Sequence, residues 1–168
     1  MIIRSEKTDD IDRIREINMS AFGAESEADL VDALRKSGVP LISLVAEEDK
    51  TIIGHIMFSP VTIDNGCTSI SVAGLAPMSV LPEFQRKGVG SLLVKEGLEQ
   101  CKQEGYSAVI ALGHPEYYPR FGFVPSAKYN IRSEYDVPEN VFMIQELYDG
   151  ALTGCHGTVK YHKCFMQL

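Results

Sequence analysis

Long apolar runs are missing from this chain. The N-terminus reads MIIRSEKTDD, with only two apolar residues in a row after the initiator. A secretory signal needs a longer apolar stretch behind a basic start, and a membrane span needs about 20 apolar residues. Their absence predicts a soluble, cytoplasmic protein. Cysteine pairs are missing as well. Cys67, Cys101, Cys155 and Cys164 show no C-x-x-C spacing, and neither Cys155-His156 nor His162-x-Cys164 has the spacing of a structural zinc site. They read as small buried hydrophobes of an intracellular chain, and no metal site is expected. The third absence is basic charge, since 16 Lys and Arg stand against 23 Asp and Glu for a net charge of -7. Nucleic-acid affinity rests on neutralising phosphates, so DNA and RNA are not expected partners. Net acidity suits a cationic substrate such as an amine. With no repeat or low-complexity tract, 168 residues that are 45% hydrophobic predict one globular domain spanning 1–168.

What is present falls into helical and extended runs. Met1 to Ser5 reads as a short strand, and Thr8 as a helix N-cap with Asp9 and Asp10 in the first turn. Ile11, Ile14, Ile17 and Ala21 then recur at helical spacing. A second helix is predicted from Ser26, its cap, to Ser37, with Leu30, Val31 and Leu34 inward and Gly38 ending it. Leu41 to Glu48 and Thr51 to Ile63 are strand-like runs joined by Asp49-Lys50. Asn65-Gly66 is a further turn signal, and Ser69 to Leu81 a third long strand, so these three form an antiparallel meander. Gly74 and Pro77 interrupt the third strand. A proline donates nothing to a ladder, so a bulge or unpaired stretch is expected there. A helix from Gly88 to Glu104 follows, with Val89, Leu92, Leu93, Leu98 and Cys101 as its buried side and Gly97 permitting close approach to a sheet. Ala108 to Leu112 has the composition of a buried strand, paired in parallel through the crossover helix. Phe121 to Pro125, Val141 to Tyr148 and Gly157 to Phe165 complete the strands. The fold class is α/β, a mixed and mostly antiparallel sheet with helices on both faces.

The segment Pro77 to Ser91 carries the chemistry. Gly88 and Gly90 stand between a strand and a helix, where unpaired N–H groups can hold an anion, and Arg86 and Lys87 add positive charge. Hydrogen bonds to a charged group contribute about 1.5–3 kcal/mol each, enough for three or four amides to anchor a pyrophosphate. The segment lacks the G-K-[ST] of a nucleotide P-loop, and Leu93 fills the third glycine position of a dinucleotide fingerprint. From these residues alone, a tight strand-to-helix turn and an anion cradle both stand.

Gln85-Arg86-Lys87-Gly88-Val89-Gly90 resembles the Q/R-x-x-G-x-G/A signature of the GCN5-related N-acetyltransferases, the GNAT family. Tyr117-Tyr118-Pro-Arg-Phe-Gly122-Phe123 is similar to that family's second signature and lies past the next strand at the expected distance. The likeness spans most of the chain and implies the acyl-CoA N-acyltransferase fold with acetyl-CoA as co-substrate. It places pyrophosphate on the amides of Arg86, Lys87, Gly88, Val89, Gly90 and Ser91, with Gln85 at the loop entrance. It places the pantetheine arm along the backbone of Met78, Ser79 and Val80, where a main-chain amide would face the thioester oxygen. Tyr118 falls on the general-acid position, with Tyr117 in reserve. Arg120 is either a cofactor contact or a solvated side chain.

The general base is missing from its usual place, because Ala73 to Val80 holds no acid. A lysine-like amine costs about 4–5 kcal/mol to deprotonate at neutral pH, whereas an α-amine costs only about 1. Either the acceptor is a low-pKa amine, or a residue elsewhere acts through water. Glu47, Glu48, Glu83, Glu116, His55 and His114 are the candidates, and His114 is favoured because it precedes the tyrosine turn. His156 and His162 have no tie to the site. The expected activity is acetyl transfer to a primary amine of a small molecule or polypeptide, by direct attack in a ternary complex. A non-catalytic acyl-CoA-binding or sensing domain is the alternative. The acceptor pocket is expected between the two N-terminal helices and the C-terminal strands, and the resemblance leaves a homodimer open.

Overall fold

The structure is a computed structural model that describes residues 1–64, 67 and 69–168. The predicted Asn65-Gly66 turn lies outside the described residues. Strand β1 (Ile2–Ser5) leads through a short 3-10 turn (Thr8–Asp10) into helix α1 (Ile11–Phe22). Thr8 does not cap this helix. Asp10 accepts a 2.6 Å hydrogen bond from the Lys7 amide and a 2.7 Å bond from Arg4, so its carboxylate ties the turn to β1. Helix α2 (Ser26–Ser37) is preceded by Glu25 at the cap, and the Ser26 hydroxyl donates to Glu27 instead of holding a backbone amide.

Strands β2 (Ile42–Glu48), β3 (Thr51–Asp64) and β4 (Val72–Val80) form the predicted antiparallel meander, with β1 added beside β2. Asp49 and Lys50 both take positive φ, the geometry of a two-residue hairpin whose twist matches the strands. Opposite Met57, β4 carries an extra residue, since Ile56 pairs with Met78 but Phe58 pairs with Leu75. The bulge falls on Ala76 and Pro77, where a missing N–H costs the ladder least.

Helix α3 (Val89–Gln103) crosses back to β5 (Ala108–Leu112), which pairs in parallel with β4. β8 (Phe142–Glu146) and β6 (Val124–Pro125) continue the sheet in the order β1-β2-β3-β4-β5-β8-β6, while β7 (Ile131–Ser133) and β9 (Gly157–Lys160) pair beside the far end of β3. Helices cover both faces. Gly54 and Phe58 of β3 point at α3, and His55 between them points at Asn18 of α1. Among the described residues no helix is long and apolar enough to cross a membrane.

Four further expectations need correction. Leu92 is 44% exposed, because Val89, Leu93, Gly97 and Cys101 form the buried stripe of α3. A Cβ on Gly97 would lie 2.4 Å from the Phe58 ring, so this close contact sets which face of the helix meets the sheet. Only Val124 and Pro125 of the Phe121 to Pro125 run are extended, since Tyr118–Phe121 winds into a 3-10 turn. The last predicted strand stops at Lys160 and gives way to a 3-10 turn (Lys163–Gln167), which His162 caps by accepting from the Cys164 amide. Cys67 and Cys155 are joined by a disulfide across 88 residues instead of standing as isolated thiols. Cys101 is the buried hydrophobe expected, with burial pushing its thiol up to about 12.

Gly97→Ala is expected to destabilise the protein by about 1–3 kcal/mol, because the added methyl would press on the fully buried Phe58 ring. Leu92→Ala is expected to change stability by less than about 0.5 kcal/mol. Urea denaturation of the two variants checks both, and equal effects would contradict the helix orientation.

Candidate functional site

The β4–β5 ladder is short. Val72 to Leu75 pair with Ala108 to Ala111, and there the two strands part. Beyond that point, among the described residues, β5 pairs only with β8, and Gly113 donates to the Val141 carbonyl. β4 continues to Val80 on β3 alone. One edge of its backbone past Leu75 therefore faces a gap, and backbone groups so exposed need an outside partner.

The loop after β4 closes one end of that gap. Arg86 has φ of 60° and Gly88 φ of 87°, both left-handed. For Arg86 this is a costly conformation, of the kind held only where the surroundings impose it. Left-handed residues alternating with ordinary ones turn successive amides to one side and make an anion-binding concavity, here at the N-terminus of α3. Gln85 ties the loop to the strand by donating to the Val80 carbonyl at 3.0 Å. Gly90 leaves the cradle open, because a Cβ there would meet the Tyr117 hydroxyl at 2.9 Å.

A cavity of about 590 Å³ runs along this loop and strand. Met78, Ser79 and Val80 line one side, and Gln85, Arg86, Gly88, Gly90 and Ser91 line the end. Lys87 and Val89 turn their side chains elsewhere. Lys87 sits over the Phe84 ring at 5.5 Å, and Val89 packs beneath Gly54. Ser79 Oγ is buried without a hydrogen-bond partner among the described residues. An elongated ligand with an anionic end suits this cavity.

The tyrosine turn forms the opposite wall. Tyr118 is 7% exposed, and its ring edge rests where Gly113 has no side chain, since a Cβ there would come within 2.8 Å. Burial, with a smaller contribution from Tyr117, pushes its phenol up to about 12, so it keeps its proton throughout the neutral range. Tyr117 meets Tyr118 edge to face at 5.2 Å. Arg120 stacks on the Tyr117 ring at 4.5 Å and lines the same cavity.

A second cavity of about 380 Å³ adjoins the first on the β4 bulge. Phe22, Met78, His114 and Tyr118 line both, so Tyr118 stands where the two meet. Of the six base candidates, His114 alone lines either cavity. Glu47 is paired with Arg4 at 2.7 Å, while Glu48, Glu83 and Glu116 lie outside both linings. Glu27, which sequence reasoning missed, lines the second. Its place in the first turn of α2 offered no signal, because an acid there is also the common answer to the helix dipole.

His55 is enclosed between the sheet and α1. Asn18 Nδ2 contacts its Nδ1 at 3.3 Å, so Nε2 carries the hydrogen and donates to Ser43 Oγ at 2.9 Å. Ser43 in turn donates to Glu6, which Arg35 holds at 2.8 Å. Burial pulls the His55 pKa down to about 3, with Glu6 opposing the shift. The side chain is a neutral structural link. Because its unfolded value is near 6.5, the unfolded chain takes up this proton first as pH falls. The stability it contributes is complete above about pH 6.5 and is lost toward about pH 3, at up to about 1.4 kcal/mol per pH unit. Between about pH 7 and about pH 4, the wild type's urea midpoint is expected to fall more steeply than that of His55→Asn. Parallel slopes would place His55 in contact with solvent.

Residues 2–125 match the family model described as acetyltransferase (GNAT) domain. The "Uncharacterized N-acetyltransferase YhbS" of Escherichia coli strain K12 is 36% identical over 166 residues, covering 98% of each chain. YjhQ of the same strain is 39% identical over 149 residues, which are 85% of this chain and 82% of YjhQ. The crystal structure of Escherichia coli YhbS in complex with CoA superposes with a TM-score of 0.93, covering 98% of this chain and 91% of that one. A GNAT family acetyltransferase from Brucella melitensis, in complex with acetyl-CoA, is 35% identical with a TM-score of 0.79, covering 98% and 97%.

Proposed function

The chain belongs to the GNAT family of N-acetyltransferases, and on that premise we propose that it is a single domain that moves the acetyl group of acetyl-CoA to a primary amine by direct attack in a ternary complex. The observation that carries this reading is the meeting of the two cavities at Tyr118, in the gap where β4 and β5 part. In this reading the co-substrate and the acceptor each have a place, with the Tyr118 side chain between them.

In this reading the amides of Arg86 to Ser91 bind the pyrophosphate, helped by the α3 dipole and the Arg86 guanidinium. Gly88 and Gly90 keep side chains out of the way. The open backbone edge of Met78, Ser79 and Val80 pairs with the pantetheine arm as an added strand would, and a main-chain amide there stabilises negative charge on the thioester oxygen. Acetyl-CoA supplies an activated acetyl group, whose C–S bond breaks as the C–N bond to the amine forms. The ammonium gives up two protons in all, one ending on the CoA sulfur and one in solvent. His114, exposed at the junction, receives the proton lost before attack. Tyr118 holds its own proton more tightly than a thiol does, so its hydroxyl donates a hydrogen bond to the departing sulfur.

Calorimetric titration with acetyl-CoA is expected to show binding for the wild type and none for Gly88→Glu/Gly90→Glu. Tyr118→Phe is expected to bind acetyl-CoA normally while kcat for CoA release drops about a hundredfold or more. Tight binding by the double glutamate variant would sink the phosphate-loop assignment. An unchanged kcat in Tyr118→Phe would remove the tyrosine from the chemistry.

A further inference from the structure

The second cavity has a chemistry of its own. Its floor is the β4 bulge, and α1 and α2 contribute Phe22, Glu27 and Leu30. The remaining wall is aromatic: the Tyr135 and Tyr161 rings lie 5.9 Å apart, and Tyr161 and Phe165 lie 5.1 Å apart. Its volume falls in the range of about 300–1,000 Å³ typical of small-molecule sites. Phe22, Leu112, Tyr135 and Leu168 are exposed large apolar side chains, and all four border this one cavity. Single exposed apolar residues are ordinary, but their convergence around a concavity marks a ligand surface. Among the described residues, Glu27 is the one charged side chain in the lining, and the Ser26 hydroxyl orients it from 2.7 Å.

Resting on the acetyl-transfer reading, we infer that the acceptor is a hydrophobic primary amine with a single cationic group, such as an arylalkylamine. Its ring or chain lies against Tyr135, Tyr161 and Phe165, and its ammonium pairs with Glu27 beside Met78 and Tyr118. A polyamine fits badly, because its further ammonium groups would lose water against apolar walls, and Glu134, the acid behind Tyr135 and Tyr161, is outside the lining and bonded to the Tyr161 amide at 2.6 Å. An amino acid fits badly for the opposite reason, since its carboxylate would enter a site whose charged side chain is also negative. The aromatic faces add attraction for one cation, as ring quadrupoles do. Glu27 thus selects and orients the amine, and the aromatic wall selects its body.

The test uses the full chain saturated with CoA, titrated calorimetrically with 2-phenylethylamine and with spermidine. CoA release from acetyl-CoA is then followed with the same two amines. The expected result is binding and acetylation of 2-phenylethylamine, with kcat/KM for spermidine lower by about a hundredfold. Glu27→Gln is expected to raise KM for 2-phenylethylamine about ten- to hundredfold, the loss of one charged hydrogen bond, and to leave acetyl-CoA affinity unchanged. Tyr135→Ala is expected to weaken 2-phenylethylamine while leaving ethylamine unaffected. Preferred acetylation of spermidine, or an unchanged KM in Glu27→Gln, would overturn the inference and leave acetyl transfer intact. Binding of 2-phenylethylamine without CoA release from any amine would instead overturn the transfer reading and support the ligand class.

Discussion

The function of this molecule turns on where one ladder of hydrogen bonds ends. β4 and β5 are held in parallel register only from Val72 to Leu75, and β5 then gives its remaining hydrogen bonds to β8. β4 runs on for five more residues with one edge free. A free edge inside a sheet carries ordered, unspent donors and acceptors at fixed spacing. Such an edge must be met by water, by another strand or by a ligand that imitates one. The bulge at Ala76 and Pro77 keeps the ladder from closing further, and both cavities open from the space it leaves.

The rest of the fold holds that gap rigid. On one face, the contact of Gly97 with Phe58 seats α3 so that its N-terminus, and the strained loop before it, stay fixed against the end of β4. On the other face, the chain from Asn18 through His55 and Ser43 to Glu6 and Arg35 ties α1, β3, β2 and α2 together. Asn18 Oδ1 is the one buried atom of this network without a hydrogen-bond partner among the described residues, and the other links hold the four elements in one arrangement. For the proposed transfer this placement matters, because an anion cradle and an acid group act only at hydrogen-bond range.

In the proposed transfer, Tyr118 joins these supports to the chemistry. Its ring fills the space beside Gly113 and packs edge to face on Phe123 at 5.4 Å, which makes it part of the core. Its hydroxyl nevertheless stands at the junction of the two cavities. Burial therefore fixes its position and its protonation state together.

Much of this was readable from the chain. The Asp49-Lys50 hairpin, the meander, the bulge at Pro77, the crossover helix and the loop of Gln85 to Gly90 follow from local chemistry. Turn residues, missing N–H groups and hydrophobic period act over a few positions, so the amino-acid order by itself determined them. Glu27, the burial of His55, the outward turn of Leu92, the Cys67–Cys155 bond and the aromatic wall from Tyr135 to Phe165 were not readable. Each depends on which residues meet across many positions of sequence. Tertiary packing alone decides that, because a side chain's neighbours, dielectric surroundings and partners are set by the whole sheet and its covering helices.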